Sequence, residues 1–169
     1  MPPNYPQQTQ ITNFIFVENT LSIDEKNMVF SVTLDMSSIW LDARLAYADS
    51  VTTKGSLDIT SNSAQIWKPQ IQVTDNVKDE GKVILFYCIE DILSERVTLY
   101  KNGTLLYNKR MNIDLKCKFD YSNMPKDKHD CKFIFYALNY NKKYVKLIIG
   151  NINTDSDIVL KVSVSQEYI

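Results

Sequence analysis

Cys117 and Cys131 are separated by thirteen residues and bound the segment CKFDYSNMPKDKHDC, the densest run of reactive side chains in the chain. Two thiols at this spacing could be joined. The bond would close a loop of about 15 residues and remove about 3 kcal/mol of unfolded-chain entropy, which would favour an oxidising compartment. Two free, buried thiols are the alternative. His129, the only histidine, stands close to Asp127 and Asp130. One imidazole with two carboxylates is a poor metal set, and His129 reads as a solvated loop residue. Cys88 lies in an apolar run and reads as a small buried hydrophobe. There is no Cys-x-x-Cys, no paired histidine and no Gly-rich phosphate loop. No enzyme, metal or cofactor is expected. Asn102-Gly103-Thr104 has the form of a glycosylation acceptor, although a hairpin turn is sufficient reason for it.

The elements that must position these residues are strands. The 169 residues make a single domain, 1–169, long enough to bury about 70% of its unfolded surface. The net charge is −1 with both signs interspersed, which argues against a nucleic-acid partner. No apolar run approaches the length of a membrane helix, and the first residues lack the pattern of a signal peptide, so the chain as it stands is expected to be soluble. Met28 to Leu34, Ser56 to Ile59 and Ile71 to Thr74 alternate with period two. Ile11 to Val17, Val83 to Ile89, Lys132 to Leu138, Tyr144 to Ile149 and Ile158 to Val164 are further strand candidates. Arg96 to Tyr100 and Leu105 to Tyr107 flank Asn102-Gly103, the signature of a type I′ hairpin, and Arg110 to Lys118 alternates again. Short strands between polar turns predict an all-β antiparallel sandwich. One short helix is expected before Ile11.

Four motifs occur in register along most of the chain. They are Trp40-Leu41-Asp42-Ala43-Arg44-Leu45, Ile66-Trp67-Lys68-Pro69-Gln70-Ile71, Asn102-Gly103-Thr104-Leu105-Leu106-Tyr107 and the Cys117/Cys131 segment with Met124-Pro125-Lys126-Asp127 near its end. Together they resemble the extracellular ligand-binding domain of the Cys-loop receptors, the pentameric neurotransmitter-gated ion channels. The resemblance implies an immunoglobulin-like sandwich, a Cys117–Cys131 disulfide, an extracellular setting and assembly as a homopentamer. Trp40 and Trp67 would anchor the two sheets. Asp42 and Arg44 would either pair at the core edge or stand as solvated turn charges.

The family's ligand sits between subunits in a box of aromatics that holds an ammonium. The matching positions are Asp35, Thr74 and Leu138, with Leu106 and Asn108 on the complementary side. Tyr136 and Tyr140 flank Leu138. None of these makes a cation cage. Thirty-one residues follow Leu138, too few for the family's capping hairpin between its ninth and tenth strands, so that hairpin is expected to be absent or shortened. The family's tip carries aromatics on either side of its proline, whereas Met124 and Lys126 flank Pro125 and Asp127 follows. A charged tip suits water, as in the soluble acetylcholine-binding proteins. The first expectation is therefore a secreted, pentameric binding or scaffold protein with small-molecule ligands at its interfaces. A channel ectodomain and a regulatory subunit that binds by strand addition are the alternatives.

Overall fold

A computed structural model describes residues 1–48, 55–79, 82–87, 90–116, 122, 131–138, 141–154 and 160–164, with backbone alone at 74–79, 82–87, 131–134, 136, 151–154 and 160–164. Ten strands are described: β1 (Thr9–Asp24), β2 (Val29–Leu41), β3 (Ser56–Asp58), β4 (Ile71–Asp79), β5 (Lys82–Tyr87), β6 (Glu90–Tyr100), β7 (Thr104–Lys116), β8 (Cys131–Ala137), β9 (Val145–Thr154) and β10 (Leu160–Val164). They form a six-stranded sheet in the order β3-β6-β7-β2-β1-β9 and a four-stranded sheet in the order β10-β8-β4-β5.

The expected all-β sandwich is the observed fold. Period-two alternation explains it: β7 buries Leu105, Met111, Ile113 and Leu115 on one face and turns the residues between them outward. Ile71, Val73 and Phe135 from the smaller sheet share one core with Ile11, Leu34, Val97 and Leu105 from the larger. Trp40 is buried and meets Trp67 edge-on, ring centroids 5.9 Å apart, the anchoring expected of the two indoles.

Three features differ from the sequence expectation. The chain before Ile11 forms turns and then strand rather than helix; prolines at 2, 3 and 6 supply no backbone N–H donors there. Pairing is antiparallel across the hairpins, but β1–β9 and β8–β10 run parallel, as strands joined by long connections can. The last two strands pair into different sheets and make no hairpin with each other, in agreement with the expected absence of a capping hairpin.

The third is the Asn102-Gly103 turn. It is not type I′, because only Gly103 has positive φ, 84°. The Gly103 N–H donates to the Tyr100 carbonyl at 2.9 Å, so a three-residue loop closes with Gly103 in the left-handed region. That glycine has a second duty. Its carbonyl accepts from Asp42 N–H at 3.0 Å, and a Cβ on it would lie 2.4 Å from the Asp42 carbonyl oxygen.

Candidate functional site

The outward face of β2 and β7 is a ladder of four polar pairs and one apolar pair. Register places Ser31 opposite Asp114, Thr33 opposite Asn112, Asp35 opposite Arg110, Ser37 opposite Asn108 and Ile39 opposite Leu106. The Ser31, Thr33 and Ser37 hydroxyls donate across the strands to Asp114, Asn112 and Asn108 at 2.5, 2.8 and 2.8 Å. Such pairs are the unit of cross-strand stabilisation on an exposed face.

Over this ladder lies a groove of about 460 Å³. β7 is its floor, with Asn108 and Arg110. β2 supplies Asp35 and Ser37, and β6 supplies Ser94, Glu95 and Arg96. Its charges are partly matched. Arg110 pairs with Glu18 of β1, and its Nε lies 4.0 Å from Asp35. Arg96 is well exposed and lies 3.8 Å from the exposed Asp58. None of the residues lining the groove is aromatic. Phe14, opposite Ser37 on β1, lies to the side with its ring over Gly150 of β9.

The floor strand is tied from behind to the other sheet. Lys109, pointing inward between Asn108 and Arg110, reaches Glu90 at 2.5 Å; their side chains are 8% and 15% exposed. Glu90 also accepts from Val73 N–H of β4 at 3.3 Å. Beside this pair the Tyr107 hydroxyl donates to Glu95 at 2.5 Å, while the Lys68 ammonium lies 3.9 Å from Glu95 and 5.4 Å from the Tyr107 ring centroid. Burial, then the Glu95 contact, pushes the Tyr107 phenol well above the ordinary tyrosine range.

Asp42 and Arg44 pair rather than standing as solvated charges. Asp42 is 1% exposed and takes Arg44 Nε and Nη2 at 2.8 and 2.7 Å, the two-pronged geometry a guanidinium favours. Its Oδ1 also receives Arg44 N–H at 3.1 Å, capping the short 3-10 turn Ala43–Leu45. The Arg44 side chain holds the Asp42 carboxyl below the usual aspartate range.

The sequence-derived positions divide between the sheets. Asp35, Leu106 and Asn108 share the outward face of the six-stranded sheet, with Asp35 and Asn108 in the groove. Thr74 is on β4, opposite Ile134 of β8, and Leu138 follows β8, its N–H donating to the Gln70 carbonyl at 2.7 Å. Tyr140, Cys117, Cys88, His129 and the tip Met124, Pro125, Lys126 and Asp127 lie outside the described residues, as does the Cys131 side chain. Sequence reasoning missed Arg110, Arg96, Ser37 and Glu18. Alternation from Asn108 was signal enough for Arg110. Alternation from Asp35 was likewise enough for Ser37, whereas Arg96 and Glu18 needed the register of β6 and β1. Among the described residues no cluster of His, Cys, Asp and Glu could hold a metal, and no helix is long and apolar enough to cross a membrane.

A family model described as the neurotransmitter-gated ion-channel ligand binding domain matches residues 1–168. The chain belongs to that family. Among curated proteins, this ligand-binding domain is similar to the acetylcholine-gated chloride channel subunit acc-2 of Caenorhabditis elegans, 27% identical over 134 residues, which are 79% of this chain and 29% of that one. It is similar to the gamma-aminobutyric acid receptor subunit epsilon of Rattus norvegicus, 27% identical over 79% of this chain and 25% of the receptor subunit. It is also similar to the serotonin-gated chloride channel mod-1 of Caenorhabditis elegans, 25% identical over 87% of this chain and 29% of the channel. The ligand-binding domain thus spans between a quarter and three tenths of the length of these relatives.

Proposed function

We propose that this chain is an extracellular recognition domain of the ligand-gated channel type. It works in a pentameric ring, and the groove over Asp35, Asn108 and Arg110 forms one half of each intersubunit ligand site. The observation that carries the reading is the division of the family-matched positions. Asp35, Leu106 and Asn108 stand on one sheet and Thr74 and Leu138 on the other, so a second copy is the natural source of the missing half. The ligand is not a simple ammonium, because no ring lines this groove to face it. Two guanidiniums, the Lys109 ammonium, the carboxylates of Asp35 and Glu95, an amide and hydroxyls suit a polar ligand that carries both hydrogen-bond donors and acceptors. The three relatives' names carry three different ligands at nearly equal identity, so similarity alone does not choose among them.

The channel-type relatives favour an ectodomain that couples to a membrane part. The charged tip Lys126-Asp127 favours the other reading, a freestanding secreted ring, because charges at that apex suit water better than an apolar contact. Light scattering after size exclusion tests the shared core. Five copies of a 19.6 kDa chain give 98 kDa, the mass expected; a monomer at high concentration would sink the intersubunit site. Titration with acetylcholine, choline, gamma-aminobutyric acid and serotonin tests the ligand class. Tight binding of a simple ammonium would refute the polar groove as the determinant.

A further inference from the structure

We propose that Asn102 is a glycosylation site, its side-chain nitrogen carrying an N-linked oligosaccharide. The proposal rests on the extracellular setting of the preceding section.

Asn102-Gly103-Thr104 is the single Asn-x-Ser/Thr sequence in the chain. The structure places it at the apex of the β6–β7 hairpin, with Asn102 exposed. Asn102 Oδ1 accepts from Thr104 N–H at 3.0 Å. A backbone N–H can only donate, so the oxygen of the carboxamide must face it and Nδ2 faces away from the turn. Nδ2 has no hydrogen-bond partner among the described residues. The turn explains the oxygen but not the nitrogen, since an aspartate at 102 would accept the same bond and stabilise the turn equally. Gly103 is fixed for its own reasons, its positive φ and its approach to Asp42. What turn chemistry leaves unexplained is an amide at 102 together with a hydroxyl at 104, the two groups that the glycan acceptor sequence requires.

The position also tolerates the load. Thr104, where the loop enters β7, is four residues from Asn108, about 13 Å at strand rise, and Asn102 lies beyond it in the loop. The hairpin apex is at the opposite end of β2 from the β1–β2 turn, because Leu41 pairs with Thr104 and Val29 with Lys116. A sugar there projects off one end of the sandwich and leaves the groove open. In the reaction, Asn102 Nδ2 bonds to the anomeric carbon of a polyprenyl-diphosphate-linked oligosaccharide. The anomeric C–O bond breaks, the polyprenyl diphosphate leaves with the bonding pair, and a carboxamide proton passes to a base of the membrane-bound transferase.

The test is expression of the full chain behind a cleavable secretion signal in eukaryotic cells. Intact mass is read before and after peptide N-glycosidase, in medium and in lysate. The wild-type chain is expected above 19.6 kDa, falling to the peptide mass on treatment, with aspartate at position 102 by peptide mass spectrometry. Asn102→Asp and Thr104→Val are expected at the peptide mass with unchanged Tm. A folded wild-type chain at bare peptide mass would overturn the proposal, as would sugar persisting on Asn102→Asp. Because entry into the secretory pathway is supplied, the two readings fail separately. A glycosylated chain that forms no ring refutes the intersubunit site alone, and a ring without sugar refutes the glycan alone.

Discussion

The Lys109–Glu90 pair should behave as a unit whose two halves are each costly to remove and cheap to remove together. The ammonium is 8% exposed and the carboxylate 15%. Stranding one charge of a buried pair costs about 3–5 kcal/mol, whereas replacing both is often close to neutral. Lys109→Met leaves Glu90 with only Val73 N–H as a partner, for an expected loss of about 3 kcal/mol. Glu90→Gln keeps one oxygen for Val73 N–H but leaves the Lys109 ammonium facing an amide nitrogen, so a similar loss of about 3 kcal/mol is expected. The double variant has no charge to strand and its glutamine still accepts from Val73; it should lie within about 1 kcal/mol of wild type. The coupling is then about 5 kcal/mol, above the range usual for contacting pairs, as expected where each single variant strands a buried charge. Urea unfolding followed by tryptophan fluorescence, at one fixed protein concentration because assembly adds to stability, gives all four values. A double variant that loses the sum of the single losses would show that the two charges do not meet in the folded chain.

Gly103→Ala should destabilise by more than about 2 kcal/mol, because the left-handed φ alone costs about 1–2 kcal/mol and the methyl must also push Asp42 away; thermal unfolding checks it. Trp40→Ala empties the centre of the core and should cost about 3–5 kcal/mol, with loss of the near-ultraviolet dichroism of its edge-on contact with Trp67. Asp42 contributes pH-dependent stability. Its folded pKa is depressed, so the contribution is present above the unfolded value of about 4 and is lost as pH falls through the lower folded value. Denaturation at pH 7 and at pH 3 should show a smaller acid loss for Asp42→Asn than for wild type.

The sandwich could be read in the sequence because alternation is a local signal that burial reinforces. Met28 to Leu34 and Arg110 to Lys118 alternate before any partner is known, and the described parts of both, from Val29 and up to Lys116, fall in thirteen-residue strands. The parallel pairing of β1 with β9 could not be read, since Thr9 and Val145 meet only through the fold. The turn type at Asn102-Gly103 was misjudged for a related reason. A two-residue turn and a three-residue loop share the same dipeptide, and the segment at Asp42 that the glycine braces is remote in sequence. At the candidate site, Asp35 and Asn108 were legible through family resemblance. Arg96 and Glu18 were not, because their place depends on the register of strands far apart in the chain.

The partner of β1 also sets a schedule. Its hairpin with β2 can form as soon as Leu41 has been synthesised, but its other edge is matched by residues 145–154. At 5–20 residues per second of synthesis, that edge waits on the order of ten seconds. During the interval Ile11, Ile15 and Val17, all buried in the finished core, lie on a strand with unpaired N–H and C=O groups along one side, a template for any other extended chain. Newly made copies in a crowded compartment therefore meet first through the strand that closes last, and the yield of correctly paired protein should fall with expression rate and recover when synthesis is slowed.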